Sequence, residues 1–304
     1  MSQTVASGRA VFFILAGMAT LGLSDNFVAY VSADSSLWQF HFVRGAMVLL
    51  AMVIIAMLGF GTLRPQRPMA VLARSVIQAT SMLIYFGCLS ILPIGVVVAG
   101  LFTAPLFVVL IAAVFQGKRI GPVHLAAISM GFLGALMVIR PDPDNIDLVA
   151  FLPIVGGLLY AIGAVATRAW CEGEATLSLS AGFFLVLTLM GVAGCLALPP
   201  AAIGAEGFVS RGWMPLSANL VFWLAVQAVA ALVGILCLFR GYQIGEASQV
   251  AVFEYSLLVF ASAWAWYLWG QVVEPLGLFG MFLIVVSGMV IAMRRTQKIS
   301  VIAK

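Results

Sequence analysis

Ten separate times in this chain, apolar residues run on for about twenty positions with hardly a charge among them, the length a helix needs to cross a ~30 Å hydrocarbon core. The runs lie near 10–31, 37–58, 70–91, 93–115, 121–140, 148–169, 176–198, 219–239, 247–269 and 273–293. They are continuously apolar, whereas a barrel strand alternates inward and outward residues, so the spanning element is the α-helix. With 63% hydrophobic and 9% charged residues the chain has too few charges to cover a water-facing surface. The first run is too long for a secretory signal and lacks a small-residue cleavage site, and is expected to stay as a helix.

Two stretches are weak copies of each other. Residues 89–139 and 242–292, offset by 153, place Phe107 on Phe260, Ala112 on Ala265, Gly117 on Gly270, Pro122 on Pro275 and Leu125 on Leu278. Each copy has a long apolar run, a GxxxxP break and a second apolar run with glycines, and so reads as two helices joined by a tight turn. Five spans per copy is an odd number, so two copies in one chain insert with opposite orientations. The expected architecture is an all-α integral membrane protein: ten transmembrane helices as two inverted five-helix repeats, residues 1–145 and 146–304.

Charge sets the orientation. With ten spans, one side receives Arg9, Arg64, Arg67, Arg74, Lys118, Arg119, Arg168, Arg240, Arg294, Arg295, Lys298 and Lys304, twelve of the fifteen basic residues. The positive-inside rule then puts both termini in the cytoplasm and the 199–218 segment outside, in a cell inner membrane. The net charge of +4 suits loops facing anionic lipid and gives no reason to invoke nucleic acid. No GxxxxGK[ST] loop occurs, which excludes ATP-driven pumping by this chain, and no metal or other cofactor is expected. Cys88, Cys171, Cys195 and Cys237 lack CxxC spacing and read as unpaired small hydrophobes.

The layout of ten spans in two halves, the GxxxxP turn before the last span of each and the GEAS tetrapeptide at 245–248 resemble the drug/metabolite transporter superfamily in its EamA-type branch, most like the YddG-type amino-acid exporters. The family often has glutamate after the turn glycine, where this chain has Lys118 and Gln271. The resemblance implies a secondary transporter working by alternating access, with amino acids and related small metabolites as substrates.

Polar residues inside the spans are the candidate site, because a buried charge costs several kcal/mol unless it faces a cavity or a partner. The expected substrate cavity is Glu254, Gln78, Tyr85, Asn26, Gln227, Tyr255 and His41, with Asp25, Arg44 and Glu254 as charge- or proton-handling groups. Each has a plainer alternative. Arg44 is six residues from Trp38 and can snorkel to the interface, Gln78 and Gln227 can be interhelical hydrogen bonds, and Asp25 can be a cap or pair near the surface. Gln78, Met82 and Tyr85 share one face of the third span. Trp264, Trp266, Tyr267 and Trp269 read as an interfacial belt, and Pro105 as a kink in the fourth span without a counterpart at its mate Leu258. The small-xxx-small pairs Gly131/Ala135, Gly157/Ala161, Gly191/Cys195 and Gly288/Ala292 are expected to be packing contacts.

Gradient-driven or facilitative export of amino acids and similar metabolites is thus the expected function, with protons as a candidate coupling ion. Efflux of lipophilic cations is the alternative. A channel or an intramembrane enzyme has less support, since His41 and His124 stand alone without an HExxH or a paired acid.

Overall fold

The computed structural model describes residues 2–88, 92, 94–115, 120–139, 148–200 and 207–302, and these form a bundle of α-helices with two short 3-10 segments. In chain order the helices are α1 (Ser2–Asp25), α2 (Val28–Asp34), α3 (Leu37–Met57), α4 (Pro68–Cys88), α5 (Ile94–Leu101), α6 (Ala104–Phe115), α7 (Pro122–Ile139), α8 (Leu152–Ala169), α9 (Thr176–Ala197), α10 (Ala218–Ile244), α11 (Ala247–Val250), α12 (Ser256–Trp269) and α13 (Pro275–Ile302). The 3-10 turns Leu148–Phe151 and Ala251–Tyr255 lead into α8 and α12. Among the described residues nine segments are long and apolar enough to cross a bilayer, and the apolar part of α13, Pro275–Val290, is a shorter tenth.

Sequence chemistry fixes the helix ends. Pro68, Pro122 and Pro275 open α4, α7 and α13, where the missing N–H would have had no intrahelical partner anyway. Ser36 and Ser217 cap α3 and α10, their hydroxyls accepting from the backbone N–H of Gln39 and Leu220, each at 3.1 Å. In the second GxxxxP turn Gly270 closes α12 with φ +65°, a left-handed conformation that glycine adopts freely. The matching Gly117, with Lys118 and Arg119, lies outside the described residues.

Two interruptions differ from the expected spans. The first run does not continue to residue 31: α1 stops at Asp25, and α2 starts after a turn in which the N–H groups of Asn26 and Phe27 bond back to Leu23 and Ser24. The fourth run breaks at Phe102–Thr103, because Pro105 has no N–H to offer the carbonyl of Leu101, the last residue of α5. The second half breaks too, even without a proline, since its ninth span winds as 3-10 over Ala251–Tyr255. Under the 153-residue offset Phe102 corresponds to Tyr255, and these two rings stack on each other at 5.8 Å and 23°. Expected asymmetry at Pro105/Leu258 therefore gives way to equivalent breaks that meet at the centre.

The principal helix pairs are α1 with α10, α3 with α9, α4 with α8, and α7 with α13. Further pairs join α1 to α12 and α8 to α5 and α6, then α4 to α9 and α3 to α10. Exchanging the first five spans for the last five maps this pattern onto itself, as a pseudo-twofold relation between the halves requires. Since helices in lipid gain little from hydrophobic burial against one another, close approach at small residues holds such pairs together. A β-carbon on Gly134 would stand 2.6 Å from the Gly280 carbonyl oxygen, and one on Gly280 2.5 Å from that of Gly134. Gly191 lies as close to the backbone of Trp38 and Phe42, and Gly157 to that of Gly100. Gly131 packs under the Tyr255 ring, a β-carbon on Gly288 would stand 3.3 Å from the Phe253 ring, which is tight, and the Ala292 side chain is outside the described set. All four cysteines are free, as the spacing suggested.

Candidate functional site

Between the halves lies a cavity of about 130 Å³. At ~10–15 Å³ per water that is room for on the order of ten waters, hence for a small solute. Its walls are mostly apolar and aromatic, with Tyr85, Phe86, Phe102, Tyr160, Phe183 and Phe184 among them, and carry the polar groups Ser24, Asp25, Arg44, Gln227 and Glu254.

Asp25 and Arg44 sit on the wall at the end away from the chain termini, α1 supplying the acid from its last residue and α3 the cation from its second turn. Their opposite charges attract across the cavity, and the Asp25 charge also acts on Tyr85. Arg44 does not run out to the interface as its distance from Trp38 allowed. It turns inward, its guanidinium 4.2 Å from the Phe40 ring and 5.5 Å from that of Phe86, and its Nε has no hydrogen-bond partner. Asp25 is accessible while Arg44 is buried, which makes this the wetter end of the cavity.

Glu254 is at the opposite, deeper end. The 3-10 winding of Ala251–Tyr255 carries it into the bundle, where Tyr242 donates its hydroxyl proton to Oε1 and Tyr160 makes a second hydrogen bond to the carboxylate. Its partners are neutral hydroxyls from α8 and α10, and among the described residues no cation pairs with the carboxylate. Tyr160 and Tyr242 were not singled out from the sequence, because a lone tyrosine in an apolar run carries no local signature.

Of the remaining expected residues, Gln227 lines the cavity but is bound to Ser24: its Nε2 donates to the Ser24 carbonyl at 2.8 Å, and its Oε1 accepts from the Ser24 hydroxyl at 2.5 Å. Tyr85 lines it as well. Asn26, Gln78, His41 and Tyr255 stand off the wall. Asn26 staples α1 to α12, its Nδ2 donating to the carbonyls of Gly22 at 2.8 Å and Ala261 at 3.2 Å. His41 is enclosed by Phe40 and Phe86, with Nδ1 3.4 Å from Arg44. Tyr255 is covered by Phe102 and α7, and Gln78 is pressed against Gly163 of α8, one turn below Met82.

Both ends are fastened by polar contacts. Towards the termini, the Glu174 carboxylate accepts the N–H groups of Gln66 and Arg67, Arg168 donates to the Gly245 carbonyl, and His124 meets that of Ser248 at 2.8 Å, pinning the GEAS turn. At the other end, Arg211 donates to the carbonyls of Ser32 and Ser35, Trp38 to that of Val209 and Gln39 to that of Met214. Burial pulls the Arg211 guanidinium below its ordinary pKa, and the Asp34 charge opposes that shift. Trp264 of the expected belt donates its indole N–H to the Ala19 carbonyl, while Trp266 and Tyr267 are exposed on the bundle surface.

An all-helical bundle of apolar spans, built as two facing halves around a polar and aromatic cavity, defines a multi-pass membrane protein with an internal site large enough for a small solute. Residues 8–140 match the EamA-like transporter family. Similar proteins include a riboflavin transporter of Rhizobium johnstonii, 28% identical with 86% of this chain and 85% of its own covered, and the pseudopaline exporter of Pseudomonas aeruginosa, 28% identical over 92% and 93%. An S-adenosylmethionine uptake transporter of Rickettsia bellii is 21% identical over 81% and 79%. A solved crystal structure with 19% identity superposes with a TM-score of 0.73 over 97% of this chain and 98% of its own, and so shares the fold. The first half of the chain is thus similar to the EamA-like transporter family, and most of its length is similar to individual bacterial transporters.

Proposed function

We propose that the protein exports zwitterionic amino acids and related small metabolites across the inner membrane, its halves 1–145 and 146–304 rocking against each other in alternating access. The observation that carries this is the Asp25/Arg44 couple on a wall that is mostly apolar and aromatic. A carboxylate and a guanidinium at one end of a cavity match the ammonium and carboxylate of one solute, and the rings beyond them match an apolar or planar side chain. Glu254, whose partners among the described residues are hydroxyls, is the group through which protons would couple to transport. Arg44 in the wall counts against a lipophilic cation, which it would repel. The six aromatic rings favour a second reading, a planar heterocycle of the kind named for the Rhizobium relative.

Liposomes containing the purified protein, assayed with labelled phenylalanine, tryptophan, riboflavin and tetraphenylphosphonium, test the choice. Saturable flux of the two amino acids is expected. Flux of riboflavin alone would move the assignment to the second reading, and flux of the phosphonium alone would overturn both.

Orientation is part of the proposal. Single cysteines at Ser210 and Ser300 in a cysteine-free background should label from outside and only after permeabilisation, respectively. Labelling of position 300 by an impermeant reagent in intact cells would refute it.

A further inference from the structure

We propose that Arg74, with Ser75 beside it, forms a second binding station, closed in this structure, for an anionic oxoacid group, carboxylate or phosphate, of the transported solute. Arg74 is fully buried in α4, on the terminus side of the cavity. Among the described residues no acid pairs with it. Its Nε donates to the Thr167 hydroxyl at 2.9 Å, its Nη1 to the Leu179 carbonyl at 3.4 Å, its guanidinium lies 3.7 Å from the Phe239 ring centre, and Nη2 has no partner.

Those three contacts come from α8, α9 and α10, all in the opposite half of the chain. The neighbours of Arg74 on α4 also face that half: Ser75, whose hydroxyl is unpartnered, lies against Gly182 of α9, and Gln78 against Gly163 of α8. A rocking motion that parts the halves on the terminus side removes every one of these contacts together. It leaves an unpaired guanidinium at the opening, where the planar fork suits an oxoanion.

The repeat register points to the same residues. The 153-residue offset places Arg74, Gln78, Met82 and Tyr85 on Gln227, Ala231, Ile235 and Leu238, the α10 residues that line the cavity now. In two inverted halves, the face that α10 shows to a cavity at one end is the face that α4 shows when the other end opens. Met82 and Tyr85 already line the cavity, and Arg74 lies about 12 Å below Met82 at ~1.5 Å per residue. The inference rests on alternating access but on no particular solute.

The test is therefore chosen so that it reads Arg74 without transport. In cysteine-free protein reconstituted in liposomes, Ser75→Cys is treated with sulfonatoethyl or trimethylammonioethyl methanethiosulfonate, each rate being normalised to that of the reagent with a free thiol. The anionic reagent should react faster by about tenfold or more, Arg74→Lys should keep the preference, and Arg74→Gln should abolish it. Inorganic phosphate or acetate should slow the reaction with Arg74 intact, which keeps the test alive should Arg74→Gln not fold. Protection by phosphate alone assigns a phosphorylated solute, and protection by acetate alone a carboxylate. Absence of reaction at position 75, equal normalised rates, a preference that survives Arg74→Gln, or no protection by either anion would overturn the station. An absence of amino-acid flux would instead overturn only the substrate reading above.

Discussion

Replacing Glu254 by glutamine should leave a folded protein whose transport rate is lower by roughly tenfold or more, a loss of about 1.4 kcal/mol per factor of ten. Glutamine keeps the volume and one carbonyl acceptor for the hydroxyl of Tyr242 or Tyr160, so the local structure has no reason to collapse. What disappears is the charge at the deep end of the cavity. Because the carboxylate is held by neutral hydroxyls, its removal strands no cation among the described residues. Had Glu254 been half of a buried ion pair, breaking the pair would cost on the order of 3–5 kcal/mol and the folded protein would be lost. Flux in liposomes across external pH, alongside a thermal unfolding curve, separates the cases. A normal unfolding temperature with unchanged flux at every pH would make Glu254 a bystander.

An equally large effect, on stability, is expected from Gly134→Leu. The atom in the way is the backbone carbonyl of Gly280 at 2.6 Å, which cannot rotate aside as a side chain can. Overpacking a core costs about 1–3 kcal/mol when neighbours can shift, and here α7 and α13 must separate along their whole contact. The substituted protein should give little monodisperse material on size exclusion in mild detergent. Gly121→Leu, with nothing within 4 Å of the added carbon, is the control and should behave as the parent. Gly131→Leu should be milder than Gly134→Leu, because it meets the Tyr255 ring and the Ser287 hydroxyl, which can give way. A monodisperse Gly134→Leu protein with parental stability would show that the α7–α13 contact does not hold the halves together.

The spans were legible because a helix in lipid must be apolar for its whole length, and the prolines and glycines at the turns marked their ends. The break after Asp25 had a signal in the turn formers Ser24, Asp25 and Asn26, but the apolar residues on either side let a single run read straight through them. For the site, Glu254, Asp25, Arg44, Tyr85 and Gln227 stood out as polar residues in apolar runs, and the structure brings all five to one cavity. Direction was illegible: whether Arg44 points out along the helix or inward past Phe40 and Phe86 depends on α4, a neighbour that local sequence does not specify. Arg74 was misjudged for a related reason. Six residues from the start of its helix, it counts as one more cytoplasmic charge until the contacts to Thr167 and Phe239 show it buried.

The pairing of helices has a consequence for the order of events during synthesis. Each of the four principal pairs, α1–α10, α3–α9, α4–α8 and α7–α13, takes one member from either half. When the ribosome has delivered the first five spans, none of them has yet met its main partner, and Arg44 and Arg74 have neither the cavity nor the second-half hydroxyls around them. The first half must wait in the bilayer as loosely associated helices, and α8 is the earliest arrival that can begin to order it, by docking on α4. α13 closes on α7 later than any other of these pairs can form, so the α7–α13 contact waits for the tenth span.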